Sequence, residues 1–255
     1  MKKLILLAAP LCLAASAHAQ VMVAGTSYNQ DFDSLPNSGT PTWTDNSTLA
    51  GWFAKRASGA MSFTVANGSS NSGNFSSVGT TASTDRAMGS LQSGGTGVIT
   101  FGVVLQNTSG TAWNGANIQL IGETWRRGTV QIPVDRLDFS TKVRADLTGF
   151  TITETGFNTN TAGDITTAAA PAAGAAGAYD GNLAVNRTAS NFAITDFVNS
   201  GEFLILRWED FNVANSDDLL AVDDFAFNAN AVPEPASMTI LAGAAAIAAL
   251  RRRRK

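Results

Sequence analysis

The chain has 255 residues, with 17 Lys and Arg against 20 Asp and Glu, a formal charge of −3, one cysteine and one histidine. Cys12 and His18 both lie ahead of Gln20, so a chain cut after Ala19 keeps neither thiol nor imidazole. That excludes from the remainder Ser-His-Asp and Cys-His nucleophiles, zinc sites built on His or Cys, histidine-ligated haem and disulfides.

The cut is itself a sequence expectation. Met1-Lys2-Lys3 is a charged start, residues 4–15 are apolar, and Ala17-His18-Ala19 is a small-x-small cleavage site. This is the pattern of a secretory signal peptide over residues 1–19. Setting aside Lys2, Lys3 and the five terminal cations leaves 10 basic residues of the 17, and setting aside Glu234 leaves 19 acidic of the 20. The body thus carries about −9, without a Lys/Arg cluster to neutralise phosphates, and nucleic acid is not an expected partner.

Residues 20–229 have the texture of an all-β domain: short runs of Val, Ile, Thr, Phe and Trp between Gly, Asn, Ser and Thr clusters. Strands are predicted at 63–66, 97–106, 117–125, 136–143, 150–155, 203–208 and 220–227. Alternation is plain in several, with Phe101, Val103 and Leu105 on one face and Leu137, Phe139, Thr141 and Val143 on another. No apolar 3.6-residue period lasts three turns, so little helix is expected. Residues 67–79, 107–115 and 165–178 read as loops, the last because Pro171, Gly174 and Gly177 break its alanine run. Many antiparallel strands without a βαβ rhythm predict one two-sheet β-sandwich of jelly-roll type.

Three stretches could carry chemistry. In 122–128, Glu123 and Trp125 share one side of a strand and could form a sugar platform; otherwise Trp125 is core and Arg126 or Arg127 forms an ion pair. In 203–210, Arg207 on a strand buried on both sides needs a partner, which Glu123, Glu209 or Asp223 could supply. In 217–227, Asp217, Asp218, Asp223 and Asp224 put four carboxylates in eight residues and suggest calcium, which takes six to eight oxygens. Their spacing does not fit an EF-hand loop, so the competing reading is solvated loop aspartates with Asp223 paired to Arg207. No other cofactor is indicated. Trp113 and Trp125 are the leading candidates for glycan contact, with Trp43 and Trp52 behind them, while Trp208 is assigned to the core. Glu123, Glu154, Glu202 and Glu209 are the body's glutamates, and nothing sequential pairs them as a glycosidase requires.

The chain closes on residues 230–255. Val232-Pro233-Glu234-Pro235 leads into an apolar run at 238–250 and then Arg251-Arg252-Arg253-Arg254-Lys255. Thirteen apolar residues fall short of the about 20 that span a bilayer, and the cations after them should stay cytoplasmic. The tail is thus expected to be a short membrane helix that holds only transiently.

This tail resembles the PEP-CTERM sorting signal of exopolysaccharide-producing Gram-negative bacteria: Pro-Glu-Pro, a short apolar segment and a terminal Arg cluster, in that order. The alanine-rich apolar segment departs from the usual Leu and Phe. The resemblance implies an exosortase as processing partner, transient contact with the inner membrane and release to the surface or matrix. The body is similar to β-sandwich regions found ahead of such tails, through residues 31–36 with 43–46, 122–126, 179–182 with Asn186-Arg187, and Arg207-Trp208 with 222–225. Val222-Asp223-Asp224-Phe225 is similar to the closing strand of concanavalin-like and carbohydrate-binding-module jelly rolls. The resemblance implies a fold and an address and transfers no activity; the reading of the body is a non-enzymatic structural or adhesive role with weak carbohydrate binding. The alternative is a secreted polysaccharide hydrolase or lyase that works through carboxylates.

Overall fold

The computed structural model describes residues 20–129, 134–168, 175–213 and 215–232. The expected signal peptide, the tail from Pro233 on, its membrane segment and its basic cluster lie outside the described residues. Fifteen strands run in chain order: β1 Val21–Val23, β2 Ser27–Gln30, β3 Trp52–Arg56, β4 Phe63–Ala66, β5 Asn74–Val78, β6 Ala87–Leu91, β7 Ile99–Asn107, β8 Trp113–Arg127, β9 Arg136–Arg144, β10 Asn158–Thr159, β11 Ile165–Thr166, β12 Gly177–Ala178, β13 Arg187–Val198, β14 Phe203–Asp210 and β15 Leu219–Ala231. Two single 3₁₀ turns, Thr161–Gly163 and Ala184–Asn186, are the helical elements among the described residues.

The strands form two sheets that face each other as a sandwich. One has the order β1-β7-β14-β9-β10, with β3 also on β7 and β11 on β9; the other has β12-β8-β15-β6-β5-β4, with β13 also on β8 and β2 on β15. Pairing is antiparallel except for β1 with β7 and β4 with β5, which run parallel. The inner faces meet in one core holding Phe101, Trp208, Trp52 and Phe139 from the first sheet and Ile118, Leu120, Phe225 and Phe227 from the second. Trp208 is fully buried there, as its apolar parity predicts, between Phe101, Phe139 and Phe225.

The outer faces are partly roofed. Over the first sheet, the connection after β9 folds Leu147, Phe150, Ile152 and Phe157 onto Val104, Phe203 and Ile205. Residues 150–155, predicted as a strand, lie in this cover: the backbone turns at Leu147–Phe150 and Thr151–Glu154, between Gly149 and Gly156 at positive φ. Arg207 holds the cover down. It donates to the carbonyls of Ile152 and Glu154, pairs with Glu209 at 2.7 Å and stacks 3.6 Å from the Phe157 ring centre. Of its expected partners, Glu209 is the one it has.

Over the second sheet a smaller cluster holds Trp125, Val78, Ala87, Leu91, Leu219 and Ala221. Loop backbone closes on Trp125 from two sides, at Gly68 and Gly181. A Cβ added at Gly68 would lie 1.9 Å from the Trp125 carbonyl oxygen, and one at Gly181 2.3 Å from the indole nitrogen. What stays open is the outward face of β13, β8, β15 and β2, towards the end of the sandwich where β15 finishes.

Candidate functional site

Trp113 and Trp125, the leading glycan candidates, are each 1% exposed, so neither ring can stack on a sugar. Trp113 packs on Phe227 in the main core. Trp125 faces outward, as its parity with Glu123 predicts, but it lies under the loops at Gly68 and Gly181. Trp52 stacks parallel to Trp208 in the interior. Trp43 is half-buried edge-on against Phe63 and Phe75, with its indole N–H donated to Asp45. The apolar area of each ring is worth more inside a core that has no cross-links than on the surface. This corrects the sugar-platform expectation.

The carboxylate of Glu123 is occupied. It accepts the Trp125 indole N–H at 2.8 Å and meets Arg187 Nε at 3.0 Å. Arg187 also donates to Asp223 at 2.9 Å, so one guanidinium on β13 ties β8 to β15. Burial pushes the Glu123 carboxyl up to about 7; Asp223 rises to about 8, through burial first and then the adjacent Glu123 charge. Asp223 therefore has Arg187 as its partner, in place of Arg207.

The structure does not bring together the four aspartates offered for calcium, Asp217, Asp218, Asp223 and Asp224. Asp217 and Asp218 precede β15, while Asp223 and Asp224 lie five to seven residues further on, about 17–24 Å along an extended chain. Asp223 is committed to Arg187, and Asp224 sits exposed at φ +47 on a bulge. Among the described residues no group of three or more carboxylates, imidazoles or thiols is arranged to hold a metal ion. Asp217 and Asp218 instead join Asp135 and Asp210 at the end of the sandwich where β15 begins. The Asp218 N–H donates to Asp135 at 2.6 Å, the Asp218 carboxylate accepts from Gly128 N–H and the Thr167 hydroxyl, and Asp210 accepts from Ser90 of the facing sheet. Burial raises Asp135 to about 7, Asp217 above its usual range and Asp210 well above it.

The open outer face is lined by amides. Register places Asn191, Gln119, Ala226 and Asn29 side by side in one row across β13, β8, β15 and β2, and Ala193, Asn117, Asn228 and Ser27 in the next. Asn191, Gln119, Asn29, Asn117, Asn228 and Ser27 are all exposed, and they alternate with the core residues Phe192, Ile118, Leu120 and Phe227. Four strands at about 4.8 Å spacing make a platform about 14 Å wide. Shallow depressions flank it at Asp224, one of about 430 Å³ against Asn29, Gln30 and Asp31 and one of about 370 Å³ against Gln119, Ser190 and Asn191. Sequence reasoning passed over this face because no strand was read at 187–198, where the mostly polar start at residues 187–191 comes ahead of Phe192, Ile194 and Val198. The polar beats of β8, Asn117 and Gln119, were its one legible trace.

Residues 231–255 match the PEP-CTERM protein-sorting motif. The chain carries a PEP-CTERM sorting signal. Such a motif marks proteins exported and sorted to the cell surface or extracellular space, and that is this protein's destination. Its processing partner is accordingly an exosortase. The match begins at Ala231, the last residue of β15, so motif and sheet share a residue.

No curated protein matches the chain in sequence. Among solved structures it is similar to the K3 cleaved adhesin domain of Lys-gingipain from Porphyromonas gingivalis, at 11% identity over 80% of this chain and 97% of that one, with a TM-score of 0.39. It is also similar to the CBM22-1 xylan-binding domain of Xyn10C from Paenibacillus barcinonensis, at 10% identity over 79% and 92% of the two chains, with a TM-score of 0.31.

Proposed function

We propose that this exported PEP-CTERM protein is a structural or adhesive component of the cell surface or extracellular matrix, and that it holds neutral polysaccharide weakly on its amide-lined face. One observation carries the reading: six exposed side chains in register, five of them primary amides, on a broad outer surface that the described loops leave open. A primary amide offers two donors and a carbonyl acceptor, which suits hydroxyl groups that both donate and accept. The rows hold no charged residue, so an anionic or cationic polymer gains nothing from them. Without aromatic stacking each contact exchanges water for hydroxyl at small net gain, and affinity comes from repetition along a chain.

The hydrolase or lyase reading needs two carboxylates facing each other across a groove. Glu123, Asp223, Asp135, Asp210 and Asp217 have raised pKa values, but all five are buried, and Glu123 and Asp223 are bound to Arg187. That geometry favours binding over catalysis.

The test is affinity electrophoresis of the full chain in neutral polysaccharides, beside Asn117→Ala/Gln119→Ala/Asn191→Ala. Three lost hydrogen bonds at roughly 0.5–1 kcal/mol each should weaken retardation more than tenfold while thermal stability stays put. Unchanged retardation in the triple variant would remove the amide face from the argument, and release of reducing ends would replace binding with hydrolysis.

A further inference from the structure

The sorting signal leaves the fold without a linker. Ala231 pairs with Trp113, and the Val232 N–H donates to the Ala112 carbonyl at 2.8 Å. The next residue is Pro233, and only five residues separate Val232 from the apolar run that starts at Met238. Fully extended, that interval reaches about 20 Å, and the headgroup layer takes up about 6 Å of it. While the apolar run is in the bilayer, the end of the sandwich where β15 finishes is held within a short distance of the lipid.

The part of that end nearest the tail's exit is poor in charge, although the connection after β9 starts at the same end with Arg144, opposite Phe203, and the exposed Asp146. Three connections surround the tail's exit, residues 24–26, 108–112 and 199–202. They carry one charged residue between them, Glu202, whose carboxylate is taken by the Asn199 backbone and side-chain N–H groups. Large apolar side chains stand exposed at the same end: Met22 at 68%, Phe197 at 52% and Val232 at 37%. Register fixes their place, with Met22 opposite Gln106 near the end of β7, and Phe197 next to Val198, which pairs with Trp113. At the other end of β15, about 40 Å away for 13 residues, lie the carboxylates of Asp135, Asp210, Asp217 and Asp218. A Debye length of about 8 Å screens that end from an anionic surface.

We propose that the end of the sandwich formed by residues 24–26, 108–112 and 199–202, with Met22, Phe197 and Val232, docks on the outer leaflet of the bilayer while the sorting signal is membrane-bound. The apolar side chains enter the interface and the uncharged turns lie among the headgroups. The acidic end points outward, and the amide face stands edge-on to the membrane, open to polymer outside. This inference rests on the sorting motif and is independent of polysaccharide binding, so either can fail alone.

The test uses the full chain, with Cys12→Ser, in phosphatidylethanolamine–phosphatidylglycerol vesicles. An environment-sensitive fluorophore is placed at Ser200→Cys or at Asn212→Cys, and headgroup spin-labelled lipid serves as quencher. Quenching at position 200 and none at 212 is the expected result. Met22→Ser/Phe197→Ser, which removes exposed side chains and leaves the core intact, should raise the lipid needed for half-maximal quenching about tenfold at unchanged thermal stability. Equal quenching at both positions, none at 200, or failure of the chain to bind vesicles overturns the proposal. Quenching at 200 only when an exosortase is co-reconstituted also overturns it and assigns the surface to the peptidase.

Discussion

Glu123 accepts the indole N–H of Trp125 from two residues away on β8, at 2.8 Å. A tryptophan beside a carboxylate on an outward strand face looks like a sugar site in sequence; in the fold it is a closed hydrogen bond under loop backbone. The pair is a stabilising device. Glu123→Gln keeps an acceptor for the indole and should cost little. Glu123→Ala leaves Trp125 Nε1 and part of Arg187 without a partner, and should cost about 2–3 kcal/mol in urea unfolding. Equal losses in the two variants would mean that the hydrogen bond contributes nothing.

The buried carboxylates set the response to pH. Glu123 titrates near 7 and Asp223 near 8 in the fold, against ordinary values near 4, and burial raises Asp135, Asp210 and Asp217 as well. Between about pH 4 and 8 the folded chain therefore holds more protons than the unfolded one, so unfolding free energy falls as pH rises. The melting temperature should be highest near pH 5 and decline through pH 7 and 8, as Glu123 and then Asp223 ionise in the fold. Glu123→Gln should flatten part of that decline. A melting temperature that climbs from pH 5 to 8 would mean these groups fold as paired anions.

The sandwich was legible in the sequence because its central strands alternate or are apolar throughout. Residues 136–143 and 203–208 sit within one or two residues of β9 and β14, and 63–66 coincides with β4. Strands β5, β6 and β13 were not legible. Ser76, Ser77, Ser90 and Gly89 fill strand positions where small residues fit a crowded sheet, and β13 borrows its stability from pairing with β8 along ten positions. Tertiary context overrides propensity there. The site was misread for a related reason: parity places Glu123 and Trp125 on one face, but it cannot report that loops near Gly68 and Gly181 cover that face.

That cover gives a test of packing. Gly181 lies against the Trp125 ring, with an added Cβ 2.3 Å from the indole nitrogen. Gly181→Ala must push the ring or lift the loop, at about 1–3 kcal/mol. Gly25 has nothing within 4 Å of such a Cβ, so Gly25→Ala should be neutral. Equal melting temperatures for the two variants would mean that the loop does not press on Trp125.

Arg207 gives a test of local order. Its guanidinium reaches the Ile152 and Glu154 carbonyls, Glu209 and the Phe157 ring together, which a planar fork can do and an ammonium cannot. Arg207→Lys should leave the main core in place but speed protease cleavage within residues 145–157, since local opening sets that rate when the rest stays folded. Uniform destabilisation without preferential nicking there would make Arg207 a general core contact.

The tail can be separated from the body by charge. Five cations follow the apolar run at 238–250, and moving them across a bilayer is costly, so they fix which side of the membrane the end occupies. Replacing Arg251–Arg254 by alanine removes that charge and lengthens the uncharged run from 238–250 to 238–254, so the chain should stay in the inner membrane with its tail uncut. Glu234→Ala keeps the cations but alters the Pro-Glu-Pro element, and should likewise leave the chain in the inner membrane, uncut. Fractionation and intact mass check both variants. Wild-type mass and location in both variants would mean that residues 231–255 do not direct sorting in this chain.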